Sequence, residues 1–406
     1  MIKPMVICIG TRPEIIKMAP VYLAMRDAGL PAIVLHTGQH QDMAWPLYEF
    51  FNIKPALTID LARSGEGLAD LSAALLVQIG TALSKLAPGL VLVHGDTSSA
   101  LMGALAAFYQ QIPVAHVEAG LRTHQDYSPF PEEKNRQLLA RLTHWNFAPT
   151  PQAESNLLRE GVAKETVYMV GNTIVDATLW AVRQLDQMEK RQEEVLPPSL
   201  RALTALPRTA QLLLVTAHRR ENWNTGISGI AEAVKELLLR EPNLVAAWPV
   251  HANVRVRNAV EHVFADLPED VASRLYLCAP LNYPALLWLL KKAWLVLTDS
   301  GGIQEEAAAL KKPVLVLRES TERPELIQSG LGMLVGSNRG RIVAATRLLH
   351  ADSRAYAGMR GGANPFGDGR AAKRIATILG RYLAPAEQKP KRGMQHPSLV
   401  LGEASC

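Results

Sequence analysis

Three carboxylates stand where a strand-like segment ends or a helix begins in the first half of the chain. Asp96 and Glu118 come just after apolar segments, and Glu132 follows the turn Pro129-Phe130-Pro131. Burial and neighbouring charges at a strand end move the pKa of a carboxyl towards neutrality. Three carboxylates in one cleft suit proton transfer at carbon or other general acid–base chemistry. There are also structural explanations, since Asp96 fits a helix N-cap and Glu132 a first helical turn.

The segment 298–306 reads Thr-Asp-Ser-Gly-Gly-Ile-Gln-Glu-Glu and lies between an apolar run and a helical pattern. Ser300, Gly301 and Gly302 leave backbone N–H groups free at the positive end of a helix dipole, which suits a phosphate. Glu306, which the pattern places in the first helical turn, could accept hydrogen bonds from both hydroxyls of a ribose. The segment predicts a cradle for a nucleotide diphosphate, although such small residues also serve close packing.

Cations and histidines near other strand ends could serve the same ligand. Arg12 and Lys17 flank a helix start, where cations are unfavourable unless an anion lies nearby, and they could instead be solvated. His218 follows a strand-like segment and could present its imidazole to a diphosphate. His251 is similarly placed, although a single histidine is more often structural. Arg323, in a loop after another such segment, could hold the nucleotide together with that cradle.

The elements that must position these residues are parallel strands and their covering helices. Short apolar runs alternate with longer amphipathic stretches, which is the pattern of β-α-β units. The predicted strands are 5–9, 32–35, 90–93, 114–117, 212–216, 244–249, 275–278, 294–298 and 314–317. The predicted helices include 14–27, 67–86, 98–110, 174–185 and 227–240. The sequence therefore predicts an α/β protein with two Rossmann-like domains in tandem and the site in the interdomain cleft.

This prediction divides the chain into five parts. The first domain covers 1–185 and the second 209–368, joined by a proline-containing linker region at 186–208. A helix at 369–383 closes the second domain or packs back across the first. Residues 384–406 carry little apolar pattern, and they are expected to be disordered.

Length and composition bound the class of protein. At 406 residues the chain exceeds one ordinary core, and its 48% hydrophobic and 20% charged residues describe a globular enzyme or binding protein. No apolar run reaches the roughly 18 to 20 residues that span a bilayer, and the start lacks the pattern of a signal peptide. We therefore expect a cytoplasmic protein with no membrane partner.

Charge and cysteine usage narrow the ligands. A net charge of +5 without a Lys/Arg block argues against nucleic acid and fits an anionic small substrate. Cys8, Cys278 and Cys406 have neither a disulfide framework nor metal-ligand spacing. The histidines and carboxylates do not cluster as metal ligands, and a G-x-G-x-x-G dinucleotide fingerprint is absent. Neither a metal nor another cofactor is expected.

With these residues in view, the chain resembles the non-hydrolysing UDP-N-acetylglucosamine 2-epimerases over about residues 3–383. The matching strings are Gly10-Thr11-Arg12-Pro13-Glu14, Val93-His94-Gly95-Asp96-Thr97, 116–122, 131–136, Gly171-Asn172-Thr173, His218-Arg219-Arg220-Glu221, 298–306 and Thr321-Glu322-Arg323-Pro324-Glu325. The resemblance implies the two-Rossmann architecture of GT-B glycosyltransferases, with UDP on the second domain. It also implies the interconversion of UDP-GlcNAc and UDP-ManNAc without a metal or a nicotinamide, in a cytoplasmic homodimer that supplies ManNAc units for cell-surface polysaccharide.

The family's route eliminates UDP to give a 2-acetamidoglucal and then adds UDP back with the proton on the other face. By resemblance, Asp96, Glu118 and Glu132 form the acid–base set. The resemblance places His218, with Arg12 and Lys17, on the departing phosphates. The residues that would hold UDP are Ser300, Gly301, Gly302, Glu306 and Arg323. Which carboxylate moves which proton stays open at this point.

Members of the family are also regulated by UDP-GlcNAc at a second site beside the catalytic one. The residues that match its segments are Gln39, His40, Arg219 and His251. Glu132 would border both sites. This chain departs from the family at Glu66 and Val254, where glutamine and proline are common, and a carboxylate at Glu66 suits an extra diphosphate poorly. A glutamine common near the uracil is Leu281 here, so contacts to the base there are expected to be backbone or apolar.

Three other functions share these features. A GT-B glycosyltransferase would use the same fold and UDP site but needs an acceptor groove and usually one base. A hydrolysing 2-epimerase would release free ManNAc and UDP, and water access decides between it and the non-hydrolysing kind. A nucleotide-sugar sensor would not need the acid–base residues.

Overall fold

The computed structural model describes residues 3–40, 44–188, 192–223 and 225–383. The predicted tail at 384–406 and Cys406 lie outside these ranges. Within them, no helix is both long and apolar enough to cross a membrane.

The first sheet of the described chain has seven parallel strands in the order β3-β2-β1-β4-β5-β6-β7. Its strands are β1 Met5–Ile9, β2 Ala32–His36, β3 Leu57–Thr58, β4 Leu90–His94, β5 Val114–Val117, β6 Trp145–Ala148 and β7 Val167–Met169. The helices are α1 Arg12–Asp27, α2 Trp45–Phe50, α3 Leu68–Leu86, α4 Ser98–Tyr109, α5 Glu132–Leu142, α6 Pro151–Arg159 and α7 Thr173–Gln187.

The second sheet has six parallel strands in the order β10-β9-β8-β11-β12-β13 within the described ranges. Its strands are β8 Gln211–Thr216, β9 Leu244–Pro249, β10 Leu275–Cys278, β11 Leu295–Thr298, β12 Val314–Val316 and β13 Gly332–Leu334. The helices of the second half are α8 Gln192–Val195, α9 Gly226–Arg240, α10 Val254–Phe264, α11 Glu269–Ala272, α12 Tyr283–Lys292, α13 Gly301–Ala309, α14 Pro324–Gln328, α15 Arg339–Ala351, α16 Ser353–Gly361 and α17 Ala371–Leu383.

Helices cover both sheets, so the central strands are largely apolar. Every residue of β1, β4 and β5 is buried, as parallel strands require. In each sheet the strand order reverses once, between β1 and β4 and between β8 and β11. Ligands bind at the carboxyl edge of such a reversal point. The predicted α/β architecture of two Rossmann-like domains is confirmed.

The segment between the domains buries more apolar side chains than the sequence predicted. It contains α8 and a 3₁₀ segment at Pro198–Ala205, and Leu196, Leu200 and Leu203 are buried in the main core. These leucines are spaced three or four residues apart, but the prolines between them led the sequence analysis to predict a linker.

The last helix, α17, packs on α1 and α7 of the first domain. Asp176 on α7 accepts hydrogen bonds from the backbone N–H groups of Ala371 and Ala372 at 3.2 and 3.0 Å. These bonds satisfy donors at the start of α17, which a helix cannot satisfy internally. The chain therefore crosses between the domains twice.

Candidate active site

A cavity of about 460 Å³ lies at the carboxyl ends of β1, β4 and β5. Among the residues that line it are six from the sequence analysis, which are Lys17, Asp96, Glu118, Glu132, Gln39 and His40. The three carboxylates, which are far apart in sequence, therefore meet in one cavity. The geometry meets the first requirement for acid–base chemistry, which is convergence on one ligand.

Glu118 is the most constrained of the three carboxylates. It directly follows β5 with a φ of 66°, in the left-handed region that a non-glycine residue seldom adopts. Its carboxylate pairs with the Lys17 ammonium and lies 3.8 Å from Nε2 of His94. Burial acts to raise the pKa of Glu118, but the nearby positive charges, Lys17 foremost, outweigh it and lower the pKa to about 2. Glu118 is therefore ionised at neutral pH.

Asp96 has the opposite pKa shift. Burial raises the pKa of Asp96, although Arg136 opposes the rise from 2.7 Å away. Arg136 is shared with Glu133 at 3.0 Å, which limits its effect on Asp96. The alternative role of Asp96 as a helix N-cap is wrong, because Thr97 caps α4 and accepts from the Ala100 N–H at 3.0 Å. The Asp96 side chain is thus available to the cavity.

Glu132 is the first residue of α5, so the prediction that it begins a helix is confirmed. Its Oε2 atom is buried and has no hydrogen-bond partner among the described residues. A buried oxygen without a donor costs free energy, so such atoms usually mark a place where a ligand or water donates. Glu132 is also among the residues that line the cavity.

Glu14 is a site residue that the sequence analysis did not select. Its carboxylate accepts from the N–H groups of Gly10 and Thr11 at 2.9 and 2.7 Å, and from the Thr97 hydroxyl at 2.7 Å. It therefore ties the loop after β1 to the loop after β4. Burial raises the pKa of Glu14 despite these three donors. Gly10 is required here, because a Cβ on it would come within 1.9 Å of Thr37 Oγ1.

The phosphate-cradle motif forms the start of α13 on the second domain. Ser300 is the N-cap of α13 and its side chain makes no capping hydrogen bond. Its N–H donates to Oγ1 of Thr298 at 3.0 Å, so the prediction of a free N–H at Ser300 is wrong. Gly301 and Gly302 are the first two residues of α13, whose N–H groups have no partner within the helix. The Arg323 guanidinium lies beside this turn, 3.8 Å from where a Gly301 Cβ would be. Glu306 lies in the second turn of α13, not the first, because the helix begins at Gly301. Burial, with the neighbouring charge of Glu305, raises the pKa of Glu306 to about 8.

The two domains meet in a buried ion-pair cluster beside the cavity. Lys17 Nζ on α1 lies 3.3 Å from Oε2 of Glu305 on α13. Glu305 also accepts a hydrogen bond from Nε of Arg323. Since Lys17 pairs with Glu118 as well, its ammonium joins the two domains. The residue predicted to bind phosphate is therefore already paired with two carboxylates.

Arg12, Gln39 and His40 lie around the loops that follow β1 and β2. Arg12 is the first residue of α1, and its positive charge lowers the pKa of Glu306 and of His40. Gln39 Oε1 accepts from the Ser99 hydroxyl at 2.7 Å. These contacts put Gln39 and His40 on the first-domain wall of the cleft.

His218 belongs to a separate cluster on the second domain. Its Nδ1 lies 3.3 Å from Oδ1 of Asp299, and the His251 ring stacks on it with centroids 6.4 Å apart. Arg219 donates its backbone N–H to Asp299 at 2.9 Å and its guanidinium lies 3.3 Å from Glu322. The predicted regulatory residues are thus divided, since Arg219 and His251 lie with His218, on the other domain from Gln39 and His40.

The fold defines a GT-B-type α/β protein, with three carboxylates that line one cavity of its first domain. A family model of UDP-N-acetylglucosamine 2-epimerase matches residues 24–380. The chain is 42% identical over 377 residues to the UDP-N-acetylglucosamine 2-epimerase of Salmonella typhimurium, covering 92% of this chain and 97% of that protein. The chain belongs to the UDP-N-acetylglucosamine 2-epimerase family, so it is an isomerase, and the resemblance found in the sequence is confirmed.

Solved structures agree in fold. The Neisseria meningitidis UDP-GlcNAc 2-epimerase bound to UDP-GlcNAc superposes with a TM-score of 0.83 at 36% identity, covering 93% of this chain and all of that one. The Methanocaldococcus jannaschii UDP-GlcNAc 2-epimerase in complex with UDP-GlcNAc and UDP gives a TM-score of 0.72 at 33% identity, covering 93% and 99%.

Proposed function

We propose that this protein interconverts UDP-GlcNAc and UDP-ManNAc by eliminating UDP and adding it back, without hydrolysis. The observation that carries the proposal is the convergence of Asp96, Glu118 and Glu132 on one cavity beside the α13 cradle. The structures of relatives with bound UDP-GlcNAc and UDP support the choice of ligand.

In the proposed reaction a carboxylate takes the proton from C2, the C1–O bond breaks, and UDP leaves with the electron pair. The sugar becomes a 2-acetamidoglucal with a C1–C2 double bond. UDP then adds back at C1 while an acid delivers a proton to the other face of C2. Asp96 and Glu118 suit such a division of work, because their environments push their pKa values apart.

Lys17 couples the diphosphate to the base in this account. A carboxylate with a pKa near 2 is a weak base, and Glu118 owes that low pKa chiefly to Lys17. A diphosphate that binds at the junction attracts the Lys17 ammonium and weakens its hold on Glu118. The basicity of Glu118 then rises when substrate is bound. Without substrate, Glu118 stays a weak base and takes up few protons.

The second domain would hold UDP. The N–H groups of Gly301 and Gly302 and the Arg323 guanidinium would bind a phosphate, and Arg12 and His218 would complete the clamp. The N–H of Ser300 already donates to Oγ1 of Thr298 at 3.0 Å, so Ser300 would contribute through its hydroxyl. With a pKa of about 8, Glu306 carries a proton at neutral pH and can both donate to and accept from a ribose hydroxyl. Gln39, His40, Arg219 and His251 would form the wall of a regulatory UDP-GlcNAc site if substrate brings their two groups together.

We also propose that the protein is a homodimer, as the family resemblance implies. In this form it would supply ManNAc units for cell-surface polysaccharide. Val77 on α3 and Phe108 and Tyr109 at the end of α4 are exposed apolar side chains. The Gln110 side chain joins these helices through the Gly80 carbonyl at 2.7 Å, so the three residues lie on one pair of linked helices. Sedimentation is expected to give a dimer that Val77→Asp weakens. A monomeric parent protein would contradict this proposal.

A product assay separates the competing activities. We expect UDP-GlcNAc alone to yield UDP-ManNAc, with little free UDP, when products are resolved by anion-exchange chromatography. Equal amounts of free UDP and ManNAc would instead establish a hydrolysing enzyme. A reaction that needs an added sugar acceptor would establish a glycosyltransferase, and tight binding without any product would establish a sensor.

A further inference from the structure

Asp299 is a buried carboxylate outside the cavity residues described above. It directly follows β11, is fully buried, and lies where the second sheet reverses its strand order. Its oxygens accept from the backbone N–H of His218 at 3.0 Å, from the N–H of Arg219 at 2.9 Å and from Nδ2 of Asn222 at 3.0 Å. All three donors come from the loop after β8. Asp299 therefore holds the loop that carries His218.

The same carboxylate also faces the imidazole of His218. Nδ1 lies 3.3 Å from Oδ1 of Asp299, a separation that can shorten when a ligand binds. Nε2 lies on the other side of the ring and is directed away from Asp299. The side chain is 45% exposed, and the His218 carbonyl is anchored by Nε1 of Trp223 at 2.9 Å. One ring nitrogen thus meets a fixed anion and the other is available to a ligand.

We infer that Asp299 is a positioning residue for His218, which it holds with Nδ1–H towards the carboxylate and Nε2 towards the departing diphosphate. This inference rests on the proposed function. As the C1–O bond breaks, negative charge grows on the leaving phosphate, and an imidazolium donates its Nε2–H to that oxygen. Asp299 stabilises the positive ring and fixes its orientation, as carboxylates beside histidines do elsewhere.

Among the charged groups around His218, Asp299 is the one that stabilises the protonated imidazole. Burial has the largest effect and lowers the pKa of His218, and the Arg219 and His251 charges lower it further. The Asp299 carboxylate opposes them by favouring the protonated ring. Removing the Asp299 charge therefore lowers the His218 pKa, and the imidazolium is lost at a lower pH.

The test is a double-mutant cycle with Asp299→Asn, His218→Asn and the double variant, assayed with UDP-GlcNAc. Asp299→Asn is expected to lower kcat by about 10²-fold, with a smaller change in KM and an alkaline limb of the kcat–pH profile at lower pH. In the His218→Asn background the same change should cost less than about threefold, because both act through one imidazole. Thr216→Val is the matched control, since it disturbs the same strand ends through the Thr298 hydroxyl without touching the ring. It should retain the parent kcat.

The inference would be overturned if the kcat losses of the two single variants multiply in the double variant. It would also be overturned if Asp299→Asn leaves the kcat–pH profile unchanged. If Asp299→Asn does not fold, the parent protein still decides. In ¹⁵N-histidine spectra assigned with His218→Asn, neutral His218 should carry its proton on Nδ1, and a proton on Nε2 would overturn the inference. A parent protein that does not epimerise UDP-GlcNAc refutes the proposed function. An active parent protein whose kcat is unchanged by Asp299→Asn refutes only this inference.

Discussion

Replacing Glu118 by glutamine lowers kcat by about two to four decades, and Asp96→Asn and Glu132→Gln do the same singly. That range is the usual contribution of a positioned acid or base. Each amide keeps the shape of the side chain and removes its capacity to exchange a proton. UDP affinity, measured by calorimetry, should change little because none of the three is placed on the UDP cradle.

Glu49→Gln is the matched control, because Glu49 is an exposed carboxylate on α2. It should keep the parent kcat. If one of the three cavity variants retains near-normal turnover, that carboxylate is structural and its assigned role is wrong. A variant that loses UDP affinity in proportion to kcat would mean that the residue binds substrate rather than moving a proton.

Lys17→Met is expected to lower the free energy of unfolding at pH 7 by about 3 to 5 kcal/mol, the usual cost of breaking a buried ion pair. The variant leaves Glu118 and Glu305 without their shared cation, and the side chains of Lys17, Glu118 and Glu305 are only 8%, 9% and 1% exposed. It also removes the ion pair through which Lys17 joins the two domains. Urea unfolding measures the loss.

The effect of Lys17→Met should depend on pH with a definite sign. Because Lys17 holds the pKa of Glu118 below its ordinary value of 4.5, their attraction contributes stability above pH 4.5 and is lost as the pH falls towards about 2. The gap between the unfolding free energies of parent and variant should therefore narrow as the pH is lowered from about 4.5 towards 2. Lys134→Met is the control, since its pair with Asp126 at 2.8 Å is about half exposed and contributes about 0 to 1 kcal/mol. A gap that widens in acid would contradict the account.

The fold was largely predictable, because a parallel sheet buried on both faces requires continuous apolar strands. The segments 5–9 and 114–117 were placed without error. The strands that sequence analysis missed, such as β6 and β7, are short and include polar or partly exposed residues. The leucines of the interdomain segment were missed because prolines mask their spacing.

The site was predictable in its residue types but not in its pairings. The N-cap of α4 is Thr97, one residue after Asp96, which the sequence had suggested for that role. Glu306 lies in the second turn of α13, whereas the sequence placed it in the first. Both differences arise because the first residue of a helix is uncertain from sequence. The partnership of Lys17 with Glu305 joins residues of different domains, and no local pattern reveals it. Asp299 stood inside a recognised motif, but its contacts with the loop after β8 exist only in the folded chain.

The most direct measurement of the central claim is NMR of UDP-GlcNAc turned over in deuterated water. If UDP leaves and returns around a glucal, every UDP-ManNAc molecule formed carries one solvent deuteron at C2, and prolonged reaction also labels C2 of the remaining UDP-GlcNAc. UDP-ManNAc that keeps its original C2 proton would contradict a site built to exchange that proton between carboxylates.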